Sequence, residues 1–378
     1  MKKFVLIPDS FKGTMSSVKV CSIMKDKINE HFPDAKVVCI PVADGGEGSV
    51  DCFLTALGGQ KIIATCSGPF FDKIDGFFGL INDGKTAVIE MAACAGLPMV
   101  EDNKNPALST TFGVGELILH AVKLGAKKVI VGLGGSCTND MGCGAASACG
   151  IKFLDANGKE FVPVGGTLSE VKDIVLSDKT PLLDGVEIEV MCDIDNPPFG
   201  KQGAAHVFAP QKGADERMVE LLDEGVKNVC AVVKDKFGID LSTLKGGGAA
   251  GAMGAGMVAF FNGKLKMGIN TVLDTVGFEE IIKDADMIFT GEGKIDSQSL
   301  RGKVVIGVSR RAKQSGVPVI SVVGGAEGDV SGAYEQGVSA VFTINKLPQD
   351  FSISKNYSEQ NLAFTVDNVL RTIKAIKL

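Results

Sequence analysis

The sequence predicts an α/β protein of two domains. A Rossmann-like three-layer domain has a parallel sheet formed by both chain ends, and a second α/β domain with a mixed sheet is inserted between them. Three observations carry this expectation. Both ends alternate short β-branched runs with helical stretches, the pattern of a parallel sheet covered on both faces. The middle shows strands linked by turn clusters instead. A chain of 378 residues also exceeds what one typical core organises. The expected division gives 1–66 and 285–378 to the first domain and 67–284 to the second, with the active site in the cleft between them.

In chain order, a strand is expected over 4–7, a helix over 16–32 with Ser16 or Ser17 as N-cap, and a strand over 36–42. Strands over 61–65, 76–81 and 86–91 follow. Residues 152–154 should pair with 160–162 through the turn at Asp155, Ala156, Asn157 and Gly158. An alternating strand covers 186–191. The far end reads as strands over 287–290, 317–323 and 340–344, with helices over 303–314 and 358–376.

Apolar runs repeatedly stop in glycine and charge. The run 40–43 ends in Asp44, Gly45, Gly46, Glu47 and Gly48, and the run 5–7 leads to Asp9, Ser10, Phe11, Lys12 and Gly13. The run 129–131 enters a glycine loop at 132–136, and 287–289 enters Thr290, Gly291, Glu292, Gly293 and Lys294. Glycine lets main chain approach a ligand or take a positive φ. Asp and Glu bind metal, accept a proton or hold hydroxyls. One shared polar cleft is expected at these four strand ends.

Composition narrows the function. A net charge of −6 and a pI near 5.3 argue against nucleic-acid or anionic-membrane partners, which need a concentrated positive patch. The ten cysteines form no C-x-x-C pair, which reads as reduced, mostly buried thiols in a cytoplasmic protein. His31, His120 and His206 have no Cys or His ligand beside them, against zinc catalysis and a Ser-His-Asp triad. The apolar stretch at 4–7 ends at Pro8 and Asp9, short of a signal segment, and no run is long enough to span a bilayer.

Residues 79–86 satisfy the Walker pattern, yet Thr86 is followed by Ala87, Val88 and Ile89, a strand rather than a helix. Asn82, Asp83 and Gly84 then form a hairpin turn. The better anion site is 132–140, where strand, glycine loop and helix come in the required order. Gly134 and Gly135 shape it, Ser136 and Thr138 add hydroxyls, Asn139 follows, and Asp140 could reach a metal; the alternative is a tight turn with Asn139 or Asp140 as N-cap. The segment 246–251 fits a dinucleotide fingerprint or close helix packing. Asp193 and Asp195, at i and i+2 after a strand, suit a magnesium ion or a base. Gln211 and Lys212 place a cation ahead of a helix. Phosphoryl transfer needs cations, a metal and an acid to take the hydroxyl proton, so these residues favour a small-molecule kinase over a dehydrogenase.

Taken together, 8–13, 41–48, 132–140, 193–196, 210–214 and 290–296 resemble the bacterial type I glycerate kinases along essentially the whole chain. The resemblance implies an ATP- and Mg2+-dependent kinase of D-glycerate, a monomer or homodimer, acting most often at the 2-hydroxyl to give 2-phospho-D-glycerate. Phosphorylation at the 3-hydroxyl is the alternative; a hydroxyacid dehydrogenase and a non-catalytic solute-binding protein are the readings from other classes. Motif positions carry over to Ser10, Lys12, Asp44, Glu47, Ser136, Asn139, Asp140, Asp193, Gln211, Lys212, Glu292, Asp296 and Lys303. Lys12, Asp44 and Asp193 are expected to be catalytic, with Asp193 as base or magnesium ligand and Asp44 the second choice. Ser10, Glu47, Gln211 and Lys212 are expected to bind substrate. Gly134, Gly135, Ser136, Thr138, Asn139, Glu292 and Lys303 are expected to bind nucleotide, and Asp140, Asp193, Asp195 and Asp296 to bind metal. Cys137 stands where the family usually has alanine, which predicts sensitivity to thiol oxidants if it is exposed.

Overall fold

Strand Lys3–Pro8 lies beside strand Met287–Gly291 in parallel register, Phe4 opposite Met287 and Pro8 opposite Gly291, so the two ends of the chain meet at the centre of one sheet. The computed structural model describes residues 2–43, 45–297 and 299–376, apart from the Arg301 side chain; Asp44 lies outside the described residues. The full sheet runs Val338–Thr343, Val319–Val323, Met287–Gly291, Lys3–Pro8, Lys36–Cys39, every neighbour parallel. Helices Ser17–His31 and Ser358–Ala375 cover one face over Phe4, Leu6, Phe289 and Val322, and helix Val304–Ser315 packs on the other. Three layers result, as expected from the alternation of strands and helices.

The first helix shows why. The Ser16 side chain accepts a hydrogen bond from Lys19 N and caps the start. Val20, Cys21, Met24 and Ile28 recur at helical spacing and are buried, and Pro33 follows the last turn at Phe32. Burying each such aliphatic side chain contributes about 1.5–3 kcal/mol.

The inserted unit carries a six-stranded mixed sheet in the order Lys264–Lys266, Glu187–Met191, Lys128–Gly132, Thr86–Glu90, Lys73–Ile81, Gln60–Ser67. The first four strands are parallel and the last two antiparallel. Helix Phe112–Lys123 buries Val114, Leu117, Ile118 and Ala121 against it. A small three-stranded sheet pairs Phe153 with Phe161, and the Asp155 carboxylate accepts from Asn157 N and Lys159 N to hold the intervening turn. The Walker-like segment is a hairpin: Asn82, Asp83 and Gly84 all have positive φ and join Lys73–Ile81 to Thr86–Glu90.

The chain divides differently from the expected 66/67 and 284/285 boundaries. One unit contains the chain up to Ala43, Asp51–Leu57 and everything from Ile269; the other contains the loop up to Val50 and Gly58–Gly268. The reasons are pairings distant in sequence. Strand Gln60–Ser67 is hydrogen-bonded along its length to Lys73–Ile81, which draws it into the inserted unit. Arg311 on helix Val304–Ser315 donates to Asp274 at 2.7 Å and Glu279 at 2.6 Å, which ties helices Gly268–Val276 and Phe278–Ile282 to the terminal unit. No helix among the described residues is long and apolar enough to cross a membrane.

Candidate active site

In the inserted unit, the register places Glu90, Gly132 and Met191 side by side at the carboxyl ends of three parallel strands. Loops at that end of an open α/β sheet are where ligands bind. The loop at 45–48 lies against this edge through close main-chain approaches. Gly134 N donates to Gly45 O at 2.9 Å, a Cβ at Gly132 would fall 2.3 Å from Gly45 O, and one at Gly134 would fall 2.6 Å from Gly46 Cα. Gly134, expected to face a nucleotide, is therefore required for this close approach. Gly135 has a φ of 74° and turns the chain toward Ser136.

A cavity of about 360 Å³ opens beside this edge, and Gly134, Gly135, Ser136, Asp193, Gln211 and Lys212 all line it. Lys212 is 2% exposed, and its Nζ donates to Ser136 Oγ at 2.8 Å and Thr138 O at 2.7 Å. Burial pulls its pKa down to about 8, while Cys137 and Asp140 nearby oppose the shift. Thr138 Oγ1 and both amide atoms of Asn139 are buried without a hydrogen-bond partner. Orphaned groups of this kind cost about 1–3 kcal/mol each unless a ligand or water satisfies them. The cavity thus has the chemistry of an anion site, a fixed cation at Lys212 beside the Ser136 hydroxyl and the Gln211 amide, with the unpartnered atoms of Thr138 and Asn139 in the same loop behind it.

The expected acids separate. Asp193 lines the cavity and its Oδ1 accepts from Gly268 N at 2.7 Å, which fixes the carboxylate. Asp195 is exposed and is not part of the lining, and Glu47 is also exposed. Asp140 is fully buried. Its Oδ2 accepts from Thr111 N and Oγ1, both at 2.8 Å, and from Gly144 N at 3.2 Å, while Oδ1 accepts from Gly142 N at 3.1 Å. Burial raises its pKa and these donors lower it. The set anchors the turn into helix Cys143–Ala148.

Two features escaped the sequence reading. Glu90 is buried at a strand end and its Oε1 accepts from Val50 N at 2.7 Å, tying the glycine loop to the sheet. The signal was available, since an apolar run ends there in a carboxylate. Ala250, Gly251 and Ala252 form three successive left-handed residues at the start of helix Ala249–Phe261, and Ala250 lines the cavity. A Cβ on Gly251 would fall 2.1 Å from Thr138 O, and one on Gly256 1.9 Å from Met141 O. Close packing accounts for these glycines, so the 246–251 run needs no dinucleotide.

In the terminal unit, Asp9 N donates to Gly291 O at 2.8 Å, which joins the loop at 9–13 to the loop at 291–296. Ser10 N donates to Asp9 Oδ1, and the backbone of Lys12, whose side chain is exposed, runs beside Gly293. Glu292 is 6% exposed and its Oε1 has no hydrogen-bond partner. Burial raises its pKa to about 7; Asp9 and Asp296 push the same way, and the Ser299 hydroxyl and Lys303 oppose. Asp296 accepts from Ser299 N at 3.1 Å and pairs with Lys294 at 3.4 Å. Lys303 is the N-cap residue of helix Val304–Ser315. No three His, Cys, Asp or Glu residues among the described residues gather to hold a metal ion. Cys137 is buried and its thiol is pushed up to about 11, so it lacks the exposure on which its expected oxidant sensitivity depended.

The chain matches the Glycerate kinase family over residues 4–374. It belongs to the glycerate kinase family. Within that family of enzymes it is 42% identical to the glycerate kinase of Bacillus cereus over 97% of both chains. It is 43% identical to the glycerate 2-kinase of Escherichia coli over 90% of both. The crystal structure of putative glycerate kinase 2 from Salmonella typhimurium LT2 superposes with a TM-score of 0.88 at 38% identity, covering 100% of this chain and 99% of that one. The two-domain α/β fold is thus a glycerate kinase fold.

Proposed function

We propose that this enzyme transfers a phosphoryl group from ATP to the 2-hydroxyl of D-glycerate, giving 2-phospho-D-glycerate and ADP, in the cytoplasm and with Mg2+. The observation that carries the reading is the buried Lys212 ammonium lining the cavity, whose hydrogen bonds among the described residues go to the neutral oxygens of Ser136 and Thr138. A cation so placed complements an anion, and phosphoryl transfer is catalysed chiefly by positioning and electrostatic stabilisation.

In this reading Lys212 and Gln211, with Ser10 and Glu47, hold glycerate, and Ser136, Thr138 and Asn139, with Glu292 and Lys303, hold the nucleotide. The orphaned amide of Asn139 and hydroxyl of Thr138 fit a polar occupant. Asp193, fixed by Gly268 N, takes the proton from the attacking hydroxyl, and Lys12 offsets charge on the carboxylate or the phosphoryl group. Asp44 is the second choice for the base. Magnesium is commonly held by one or two carboxylates together with substrate phosphates, and a cavity carboxylate such as Asp193, with Asp296 the further choice, fits that demand. When bound, the ion offsets charge on the phosphate oxygens. Asp140 is assigned instead to anchoring its turn, because both its oxygens already accept hydrogen bonds. Asp195, exposed and away from the lining, leaves the metal set.

A ³¹P NMR spectrum of the enzyme with D-glycerate, ATP and Mg2+ tests this. A new phosphomonoester doublet, from coupling to one carbon-bound proton, is expected for the 2-phosphate. A triplet would assign the 3-phosphate, and no product would refute the substrate.

A further inference from the structure

Strand Lys36–Cys39 is an edge strand of the terminal unit's sheet, and its last residue, Cys39, stands opposite Leu6 in parallel register. Helix Ser17–His31 lies on the same face and brings Cys21 Sγ to 4.0 Å from Leu6 O. The two cysteines therefore converge on one residue from a helix and a strand, and both pack in the cluster that joins that helix to the sheet. Cys21 is 3% exposed, whereas Cys39 is reached by solvent. We propose that Cys21 and Cys39 are a peroxide-oxidised thiol pair that closes to a disulfide.

The sulfur of Cys39 attacks one oxygen of hydrogen peroxide. The S–O bond forms, the O–O bond breaks, and hydroxide leaves as water with one proton. The sulfur of Cys21 then attacks the resulting sulfenic acid; the S–S bond forms, the S–O bond breaks, and the hydroxyl leaves as a second water. Two thiols lose two electrons, and one peroxide becomes two waters. The order follows from the environments. The neighbouring Cys21 thiol lowers the Cys39 pKa and Lys25 lowers it further, with burial and Asp26 opposing. Cys39 and burial raise Cys21. The partly exposed, more acidic sulfur reacts first, because the thiolate is the nucleophile, and the buried one resolves.

A second thiol pair supplies an internal control. Cys66 and Cys94 in the inserted unit also pack in one cluster, but they are 0% and 1% exposed, so peroxide has no access to either. Position gives the Cys21–Cys39 link a consequence. The chain from Cys39 continues through Ile40 N and Val42 N, which donate to Leu6 O and Pro8 O, toward the loop at 45–48. A disulfide would tie that segment to the helix.

The experiment titrates the full-length protein with hydrogen peroxide, blocks remaining thiols with N-ethylmaleimide and maps tryptic peptides. A disulfide-linked pair containing 20–25 and 37–61, two hydrogens lighter than the free peptides and assigned by fragmentation to Cys39, is expected before any change at Cys66, Cys94 or Cys137. Dithiothreitol should reverse it. In Cys21→Ala, dimedone should trap a sulfenic acid at Cys39. A link through Cys52, overoxidation of Cys39 without a link, or earlier reaction at Cys66 or Cys94 would overturn the proposal. Turnover is expected to fall at least several-fold on oxidation and return on reduction. That consequence rests on the kinase reading, while the peptide map does not: a link formed in a protein without glycerate kinase activity would sink the kinase reading alone.

Discussion

The Lys212 cavity and the Glu292 cluster each follow the carboxyl ends of parallel strands and each bury one ionisable side chain, yet burial moves the two in opposite directions. Lys212 falls to about 8 and Glu292 rises to about 7, because a low-dielectric surround disfavours whichever form is charged. Their neighbours differ. Lys212 donates to neutral oxygens and remains largely an ammonium near pH 7. Glu292 faces Asp9 and Asp296 with Lys303 opposing, and near pH 7 it is divided between its two forms. The first region presents a standing charge and the second an exchangeable proton. Backbones differ as well: among the described residues every non-glycine with positive φ, including Met141, Ala250 and Ala252, lies in the inserted unit.

The sharpest test separates chemistry from scaffold within the Lys212 region. Asp193→Asn should lower kcat about 1,000-fold, within the range of general-base contributions, and leave the melting temperature near wild type. Asp140→Asn should do the reverse. Its carboxylate accepts four hydrogen bonds in a fully buried site, and an amide nitrogen there would meet donors rather than acceptors. A loss of about 2–3 kcal/mol in urea unfolding is expected. Equal melting temperatures for the two variants would remove the distinction.

Lys212→Met should cost roughly 100-fold in kcat/KM, the scale for removing one donor from a site of developing negative charge. Stability should not follow activity. The folded pKa of Lys212 lies below its unfolded value, so the unfolded chain holds the extra proton between pH 8 and 10.5, and stability rises with pH through that window. At pH 7 the wild type carries the full cost, about 3 kcal/mol at 1.36 kcal/mol per pKa unit. The variant should therefore unfold at equal or higher urea concentration than wild type at pH 7, even with Ser136 and Thr138 left without their donor. A variant both inactive and clearly less stable would make Lys212 structural.

Glu292→Gln should change kcat/KM less, about 10-fold, and should flatten the wild-type inflection near pH 7. The sign of its stability effect is opposite to that of Lys212. The folded pKa exceeds the ordinary glutamate value of 4.5, so the folded chain holds the extra proton, and stability falls as pH rises from 4.5 to about 7. The glutamine variant should gain up to about 3 kcal/mol over wild type at pH 8 and little at pH 4.5. Parallel unfolding curves at the two pH values would refute the shifted carboxyl.

What the sequence disclosed follows from how far each signal reaches. Strand ends at 8, 132, 191 and 291 were legible because apolar runs punctuated by glycine and acid are local patterns. The hairpin at 82–84 was legible for the same reason, since β-branched residues follow it at once. The close approach of Gly134 to Gly46 was not legible, because Gly46 lies nearly 90 residues earlier and only the folded sheet brings them together. Asp140 offered the sequence a metal ligand, while its donors come partly from Thr111, about 30 residues upstream. The domain boundary near 66 failed to declare itself because strand Gln60–Ser67 acquires its unit through pairing, which composition does not encode.

The smallest expected effect concerns the strained backbone that sets the inserted unit apart. Ala250 has a φ of 54° within a left-handed turn, a conformation that costs a residue with a Cβ about 1–2 kcal/mol. Ala250→Gly removes that strain but loosens the unfolded chain by about 0.5–1 kcal/mol, so a net gain of roughly 0.5 kcal/mol is expected. Ala250 lines the Lys212 cavity, and Gly251 beside it lies against Thr138 and Asn139. If the strain only shapes the chain path, KM for glycerate and ATP should stay within two-fold of wild type while stability rises. If KM rises several-fold as stability improves, the left-handed turn is what shapes the cavity wall at Ala250, and the strain belongs to binding rather than to folding.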